Sequence, residues 1–157
     1  MGKNENNDNP GVKLAPPIVF LGLGLIGVGM EYVIPLSIGI DSPANYLGVG
    51  VIIVSIVSIG FLFKLFKRYE TEIEPWKTTS KIITTGPYKY SRNPVYVFGC
   101  GVPIGLGIAF NTYWALFAFI PALIIVYYTA VKKEEKYLET KFGQEYLDYK
   151  AKVRRWL

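Results

Sequence analysis

Long uncharged blocks are the feature of this sequence that most restricts its fold. No charged residue lies between Leu14 and Met30, 22 successive residues are uncharged over 42–63, and 39 are uncharged over 93–131. A helix needs about 20 mainly apolar residues to cross the hydrocarbon core of a bilayer. The blocks predict an all-α integral membrane protein with about four transmembrane helices. The predicted spans are residues 17–38, 46–63, 94–110 and 113–131.

All of the positive charge falls on one side of this four-span arrangement. The 17 Lys and Arg residues lie before the first span, between the second and third, and after the fourth, and the other two connections contain none. Because cytoplasmic loops are enriched in Lys and Arg, both termini and the loop 64–93 are predicted to be cytoplasmic. This topology, with attraction to anionic membrane lipids, accounts for the formal net charge of +5, so no nucleic-acid partner is expected.

Composition excludes several kinds of active site and limits the domain count. The chain has no His and one Cys, which rules out a His-based zinc site, a Ser-His-Asp triad and an internal disulfide, so no metal is expected. Residues 1–13 begin with a polar, low-complexity stretch and are predicted to be a disordered cytoplasmic tail. Residues 14–157 are predicted to be a single membrane domain, which ends in a cytoplasmic segment, 132–157.

The loop before the third span ends in GPYKYSRNPVY, residues 86–96. Its Gly-Pro start predicts a turn, and Pro94 suits the first turn of a helix. Arg92 and Asn93 would then stand at a helix N-terminus, where backbone N–H groups and a guanidinium could converge on an anion such as a carboxylate. The alternative is an interfacial anchor, in which Arg and Tyr side chains simply lie at the lipid headgroups.

The stretch FGCGVPIGLG follows within the third span. Gly99 and Gly101 would allow close approach of a neighbouring helix or of a flat ligand such as adenine, and Gly101 with Gly105 also forms a small-residue contact pattern between helices. Pro103 and Pro121 would bend the third and fourth spans. The bent pair either leaves a cavity or contains two tolerated bends without one.

The C-terminal segment KKEEKYLETKFGQEYLDYKAKVRRWL begins with two adjacent glutamates. The residues that share one face of a helix here are Glu135, Leu138, Phe142, Tyr146 and Tyr149. Gly143 is a predicted break in that helix. Glu134 and Glu135 either pair with the neighbouring lysines or supply carboxylates to a cationic or hydroxyl-bearing ligand.

Together these motifs resemble a family of membrane methyltransferases that includes isoprenylcysteine carboxyl methyltransferase and the phospholipid N-methyltransferases. In that family GPYrYxRHPxY precedes a helical hairpin, and EExxLxxxFGxxYxxYxxxVxR follows it; the segments here read GPYKYSRNPVY and EEKYLETKFGQEYLDYKAKVRR. The resemblance covers residues 71–157, and the first two spans match only in type. It implies S-adenosylmethionine as methyl donor, bound at the cytoplasmic face between the third and fourth spans and the C-terminal segment.

The resemblance also implies roles for individual residues, with Arg92 and Glu135 as the catalytic pair. The residues expected to line the cofactor are Tyr88, Arg92, Asn93, Pro94, Tyr96, Gly99, Gly101, Glu134 and Glu135. Those expected on the substrate side or in a lid are Tyr146, Tyr149 and Arg154. Asn93 departs from the family pattern, which has His at this position, and Asn does not exchange a proton near neutral pH.

The expected function is methyl transfer to a lipophilic acceptor that enters from the bilayer, of the isoprenylcysteine carboxylate or phospholipid amine type. A carboxylate acceptor needs no general base, whereas a lipid ammonium must lose a proton, for which Glu135 or a water molecule is the candidate base. Two other functions remain open, a nicotinamide-dependent membrane reductase and a non-catalytic membrane scaffold or subunit. Glu31, in the opposite half of the first span, is either a functional intramembrane acid or an interfacial residue near the outer surface.

Overall fold

The computed structural model of the protein describes residues 8–40 and 42–157. Throughout these residues the regular structure is helical, and β-type pairing is limited to two isolated bridges, in agreement with the predicted all-α class. The α-helices of this part of the chain are α1 (Pro16–Val33), α2 (Tyr46–Arg68), α3 (Pro94–Gly99), α4 (Gly101–Ala109), α5 (Tyr113–Phe117), α6 (Phe119–Val126), α7 (Lys132–Phe142) and α8 (Gln144–Lys152). A 3₁₀ turn covers Gly86–Lys89, and a π-helical turn covers Tyr127–Val131.

Three helical stretches are long and apolar enough to cross a membrane. They are Pro16–Val33, Tyr46–Arg68 and Tyr113–Phe142, the last of which runs from α5 through α7. The predicted third span corresponds to the shorter apolar stretch Pro94–Ala109. At 1.5 Å per residue this stretch is about 24 Å long, less than the roughly 30 Å of a hydrocarbon core. The four-span count and the cytoplasmic orientation therefore remain predictions.

Helices α1 and α2 end at different residues from the first two predicted spans, to which they correspond. α1 ends at Val33, earlier than predicted, because Pro35 disfavours helical backbone at the preceding residue, and Ile34 is accordingly extended. α2 instead continues past the predicted end to Arg68. Cationic side chains in the last turn of a helix interact favourably with its dipole, so the lysines and arginine there extend α2 rather than end it.

The loop after α1 is held by Glu31 and by the turn around Asn111. The Glu31 carboxylate accepts hydrogen bonds from Ser37 Oγ at 2.6 Å and from the backbone N–H of Leu36 at 3.0 Å. The side-chain oxygen of Asn111 accepts the N–H of Ile40 at 2.9 Å. Glu31 therefore has a structural role in its own loop.

Replacing Glu31 with alanine is expected to lower the unfolding temperature of the detergent-purified protein, because Ser37 and Leu36 lose their acceptor. Glu31→Gln keeps an acceptor oxygen and should lower the unfolding temperature less. Ligand affinity at the far end of α1 should be the same in both variants. Lost ligand binding at an unchanged unfolding temperature would instead identify Glu31 as a functional acid.

Glycine allows α2 to lie directly against α4. A Cβ atom added to Gly48 would lie 2.4 Å from the Gly105 carbonyl oxygen and 2.4 Å from the Ala109 nitrogen. A Cβ atom added to Gly101 would lie 1.9 Å from Ser55 Oγ on α2. Because α4 also packs against α1 and α5, it is the central helix of the fold. The small-residue pattern within α4 is thus a contact between helices.

Both interior prolines interrupt their helices just before they occur. The chain leaves regular helix at Cys100, three residues before Pro103, and at Ala118, three residues before Pro121. A proline ring clashes with the carbonyl group of the preceding turn, which explains both positions. No residue of α5 or α6 lines the cavity described below, so the bent pair itself does not enclose it.

Residues 8–13 form a segment, here called the N-terminal strap, that joins the loop after α2 to α7. The backbone oxygen of Asp8 accepts a hydrogen bond from the Thr78 hydroxyl at 2.6 Å, and its carboxylate pairs with Lys141 at 2.6 Å. Val12 is 4% exposed within the main apolar core. The first seven residues of the predicted disordered tail lie outside the described residues, whereas the strap is packed against the rest of the chain.

Candidate functional site

A cavity of about 450 Å³ lies where α1, α2, α3, α7 and α8 meet the loop after α2. This volume is within the usual range for small-molecule sites. One end of the cavity carries charged and aromatic side chains, and the other end is lined by aliphatic and aromatic side chains of α1 and α2.

Most of the residues predicted for the site line this cavity. They are Tyr88, Arg92, Asn93, Tyr96, Gly99, Glu134, Glu135, Tyr146 and Tyr149. The other three are placed differently: Pro94 begins α3, Gly101 packs against Ser55, and the side chain of Arg154 is exposed. The space beside Gly99 is filled by the ring of Phe20, at 2.9 Å from an added Cβ atom.

Arg92 combines deep burial with unused hydrogen-bond donors. Its side chain is 7% exposed, and among the described residues neither Nε nor Nη1 has a hydrogen-bond partner. The nearest carboxylate oxygen, Oε1 of Glu135, lies 3.4 Å from Nη1. A guanidinium stays charged at any ordinary pH, and buried donors without partners are costly. These two N–H groups therefore favour an anion in the cavity.

Glu135 is held mainly by Arg155 rather than by Arg92. Arg155 donates through Nε to Oε1 and through Nη2 to Oε2, both at 2.9 Å, and this hydrogen bonding raises the pKa of Arg155 above its usual value. The Arg155 guanidinium also lies 5.1 Å from the centre of the Tyr127 ring, a distance typical of cation–π contact. The three side chains, here called the Arg92–Glu135–Arg155 cluster, carry a formal charge of about +1.

Arg154 was the residue predicted for the substrate side, but the side chain that reaches the site is that of its neighbour, Arg155. After α8 the chain is extended and forms a bridge with Ser91, and the carbonyl oxygen of Arg154 accepts the N–H of Arg92 at 2.9 Å. Successive side chains of an extended segment point in opposite directions. Only one of the two arginines can therefore face inward, and the final Arg of the C-terminal family motif falls on Arg155, not on the predicted Arg154.

Asn93 holds the C-terminal segment in place. Its Nδ2 group donates to the backbone oxygen of Arg155 at 3.1 Å, and the Ser91 hydroxyl donates to the same oxygen at 3.3 Å. The Ser91 oxygen in turn accepts the N–H of Asn93 at 3.1 Å. This arrangement needs a hydrogen-bond donor at position 93 but no proton exchange, which an amide side chain satisfies.

The two adjacent glutamates have different partners. Glu135 belongs to the cluster, whereas Glu134 accepts a hydrogen bond from the Tyr96 hydroxyl. The π-helical turn Tyr127–Val131 directly precedes them, and such turns re-aim the side chains that follow in a helix. Among the ion pairs of the described residues, neither glutamate is joined to a neighbouring lysine of α7. The predicted carboxylates for a ligand are therefore both at the cavity, but only Glu135 is held by a guanidinium.

Two tyrosines of α8 close the C-terminal side of the cavity. Tyr146 is 2% exposed, and the Tyr149 hydroxyl donates to the backbone oxygen of Tyr88 at 2.8 Å. Burial raises the pKa of Tyr146 to about 12 and also raises that of Tyr149. Both hydroxyl groups are therefore neutral near physiological pH. Helix α8, which carries both tyrosines, is separated from α7 at Gly143, whose φ is 54°. This separation confirms the predicted helix break.

The apolar end of the cavity lies between α1 and α2. Its lining there consists of Phe20 and Leu21 from α1 with Ile52, Ile56, Ile59 and Phe63 from α2. Although both helices pack against α4, they lack an extended contact with each other. Leu21, Ile56 and Phe63 are also 48%, 59% and 49% exposed, so the cavity opens sideways between the two helices. The first two helices thus form part of the site, which the sequence did not reveal.

Comparison with known proteins gives two matches. An uncharacterized protein of Haemophilus influenzae is 51% identical over 35 residues, which are 22% of this chain and span about half (56%) of that protein's length. The profile of the phospholipid methyltransferase family matches residues 43–145, about two thirds of the chain. That match includes α2, the GPYKYSRNPVY segment and both glutamates of α7. The chain therefore belongs to the phospholipid methyltransferase family, a family of membrane methyltransferases.

Proposed function

We propose that the chain transfers a methyl group from S-adenosylmethionine to a lipophilic acceptor that reaches the cavity from the bilayer. The observation that carries the proposal is Arg92, a buried guanidinium whose Nε and Nη1 groups find no hydrogen-bond partner among the described residues at the polar end of the cavity. A carboxylate, which S-adenosylmethionine has, fits such a pair of donors. The bound cofactor would supply an electrophilic methyl group on a sulfonium.

The other charged groups of the cavity support the same ligand. Glu134 is the carboxylate for the cofactor's ammonium group, because both oxygens of Glu135 already accept hydrogen bonds from Arg155. The ring of Tyr96, whose hydroxyl group is bonded to Glu134, offers a face for the positive sulfonium.

The contribution of the chain to catalysis is alignment and the exclusion of water. Methyl transfer from a sulfonium is a direct displacement, which requires no covalent protein nucleophile. Arg92 and Glu134 would fix the cofactor at two charged points, and Tyr146 and Tyr149 would close that end of the cavity toward water. The apolar end would hold the hydrocarbon part of the acceptor beside the methyl group.

The sideways opening between α1 and α2 favours an acceptor with a long hydrocarbon chain. A carboxylate of the isoprenylcysteine type would react as the anion without a base. A phospholipid amine would need a proton acceptor, and Glu135 is unsuited to this role, because the Arg155 guanidinium contacts both of its oxygens. The position of all 17 cations on one side of the four-span arrangement supports a cavity that faces the cytoplasm.

The detergent-purified protein is expected to unfold at a higher temperature when S-adenosylmethionine or S-adenosylhomocysteine is present. A ligand that binds only the folded state at 100 times its Kd stabilises that state by about 2.7 kcal/mol. NADPH is the matched control for the reductase alternative and should produce no shift. Transfer of labelled methyl from the cofactor to a membrane lipid extract, followed by mass analysis of the product, would then identify the acceptor class.

Absence of a shift with millimolar cofactor, both with and without added membrane lipid, would contradict the proposed function. A shift with NADPH alone would favour the reductase. Cofactor binding without methyl transfer to any lipid fraction would leave the acceptor outside the two types proposed.

A further inference from the structure

Arg155 lies outside the lining of the cavity, and its guanidinium contacts the cavity through Glu135. Its guanidinium contacts both oxygens of the Glu135 carboxylate at 2.9 Å, in the two-pronged geometry that Arg and carboxylates prefer. Glu135 lines the cavity, whereas Arg155 is not among the lining residues. The final Arg of the C-terminal family motif falls on Arg155, but the profile match ends at residue 145 and assigns this arginine no role.

Three further contacts hold Arg155 in this place. The Tyr127 ring lies 5.1 Å from the guanidinium, and the backbone oxygen of Arg155 accepts hydrogen bonds from Asn93 and Ser91. The side chain therefore has a fixed backbone at one end and a fixed carboxylate at the other. Such a fixed position is what a residue needs in order to orient its neighbour.

The position of Arg155 determines how much of Arg92 is free for a ligand. Glu135 lies 3.4 Å from Nη1 of Arg92 without forming a hydrogen bond to it, although it is the nearest anion. Because Glu135 is shared by two guanidinium groups, the Arg92–Glu135–Arg155 cluster keeps one positive charge. Without Arg155, Glu135 and Arg92 would form a neutral pair, and an incoming anion would compete with a buried carboxylate for the same donors.

We propose that Arg155 is a positioning residue that holds Glu135 away from Arg92 and so keeps Arg92 able to bind the carboxylate of the cofactor. This inference rests on the proposed function, because it assumes that the anion at Arg92 is the carboxylate of S-adenosylmethionine. It assigns Glu135 to the protein's internal charge balance and leaves Glu134 as the carboxylate that contacts the ligand.

The test compares two ligands that differ in one group, S-adenosylmethionine and its decarboxylated analogue, by calorimetry on detergent-purified full-length protein. Arg155→Met is expected to raise the Kd of S-adenosylmethionine at least tenfold and to leave the Kd of the decarboxylated analogue within about twofold. Adding Glu135→Gln to Arg155→Met should restore the affinity for S-adenosylmethionine, because a neutral amide does not neutralise Arg92.

A purely structural role of Arg155 gives a different pattern, because a distorted cavity would weaken both ligands equally and Glu135→Gln would not restore binding. Either result would overturn the inference, as would an Arg155→Met protein that binds like the wild type. Loss of binding in Glu135→Gln alone would also overturn it, because Glu135 would then contact the ligand. If the wild-type protein binds neither ligand, the proposed function fails together with the inference.

Folding of the variants is checked by their unfolding temperatures without ligand. If Arg155→Met does not fold, Arg155→Lys replaces it, since one ammonium group cannot contact both carboxylate oxygens in the same planar geometry. An intermediate rise in the Kd of S-adenosylmethionine alone would then support the inference, and an unchanged ratio of the two affinities would overturn it.

Discussion

Replacing Arg92 with alanine is expected to weaken the binding of S-adenosylmethionine by about 30-fold or more. Removing one partner of a buried, hydrogen-bonded charge pair costs about 2–5 kcal/mol of binding free energy. The protein should still fold, because Glu135 keeps both hydrogen bonds from Arg155. Isothermal titration of the detergent-purified variant with S-adenosylmethionine measures the effect.

Lys89→Ala is the matched control for Arg92→Ala. Lys89 is a nearby cation of the same segment, but its side chain is exposed. Removing its charge should change the Kd by less than about twofold, since exposed charges are strongly screened. A Kd that is unchanged in Arg92→Ala, or raised equally in both variants, would exclude Arg92 as the anion site.

Gly48→Ala is expected to reduce the stability of the protein more than the same substitution at Gly50 or Gly60, the other glycines of α2. The new Cβ atom would lie 2.4 Å from backbone atoms of both Gly105 and Ala109, so α2 and α4 would have to move apart. Overpacking of this kind typically costs about 1–3 kcal/mol. Thermal unfolding in detergent should show a midpoint lower by several degrees, on the usual scale of about 2–4 °C per kcal/mol.

Gly50→Ala, two residues further along α2, separates this effect from the general consequences of a mutation. A Cβ atom at Gly50 would meet nothing within 4 Å, and alanine is favoured over glycine in helices by about 1 kcal/mol. The control should therefore be at least as stable as the wild type. Equal midpoints for Gly48→Ala and the wild type would show that α2 and α4 do not pack as closely as described.

The location of the helices is predictable from the sequence, but some of their ends are not. Absence of charge is a local property, and it identified the apolar helices without knowledge of their neighbours. The end of α1 is set by Pro35, which disfavours helical backbone at the residue before it. The prediction missed this end because the residues on both sides of Pro35 are apolar and continue the uncharged block. The end of α2 depends on how its terminal cations interact with the helix dipole. The prediction instead took the first of these cations as the start of a loop.

The polar half of the site was predictable and the apolar half was not. Arg92, Tyr96 and Glu134 carry chemistry that is recognisable in a motif, and they line the cavity. Phe20 and Ile56 look like any other residues of a membrane helix, because an apolar side chain has the same character whether it contacts lipid, helix or ligand. Their role depends on the gap between α1 and α2, which is a property of the tertiary structure alone.

The pairing of residues 91–93 with the segment 153–156 has a consequence for biosynthesis. All of the apolar helices precede this C-terminal segment in the chain, so Arg155 is synthesised after every one of them. Until Arg155 is in place, Glu135 lacks its main counter-ion, and Arg92 lacks the neighbour that completes its surroundings. The polar cluster therefore cannot be completed before the last apolar helix has been synthesised.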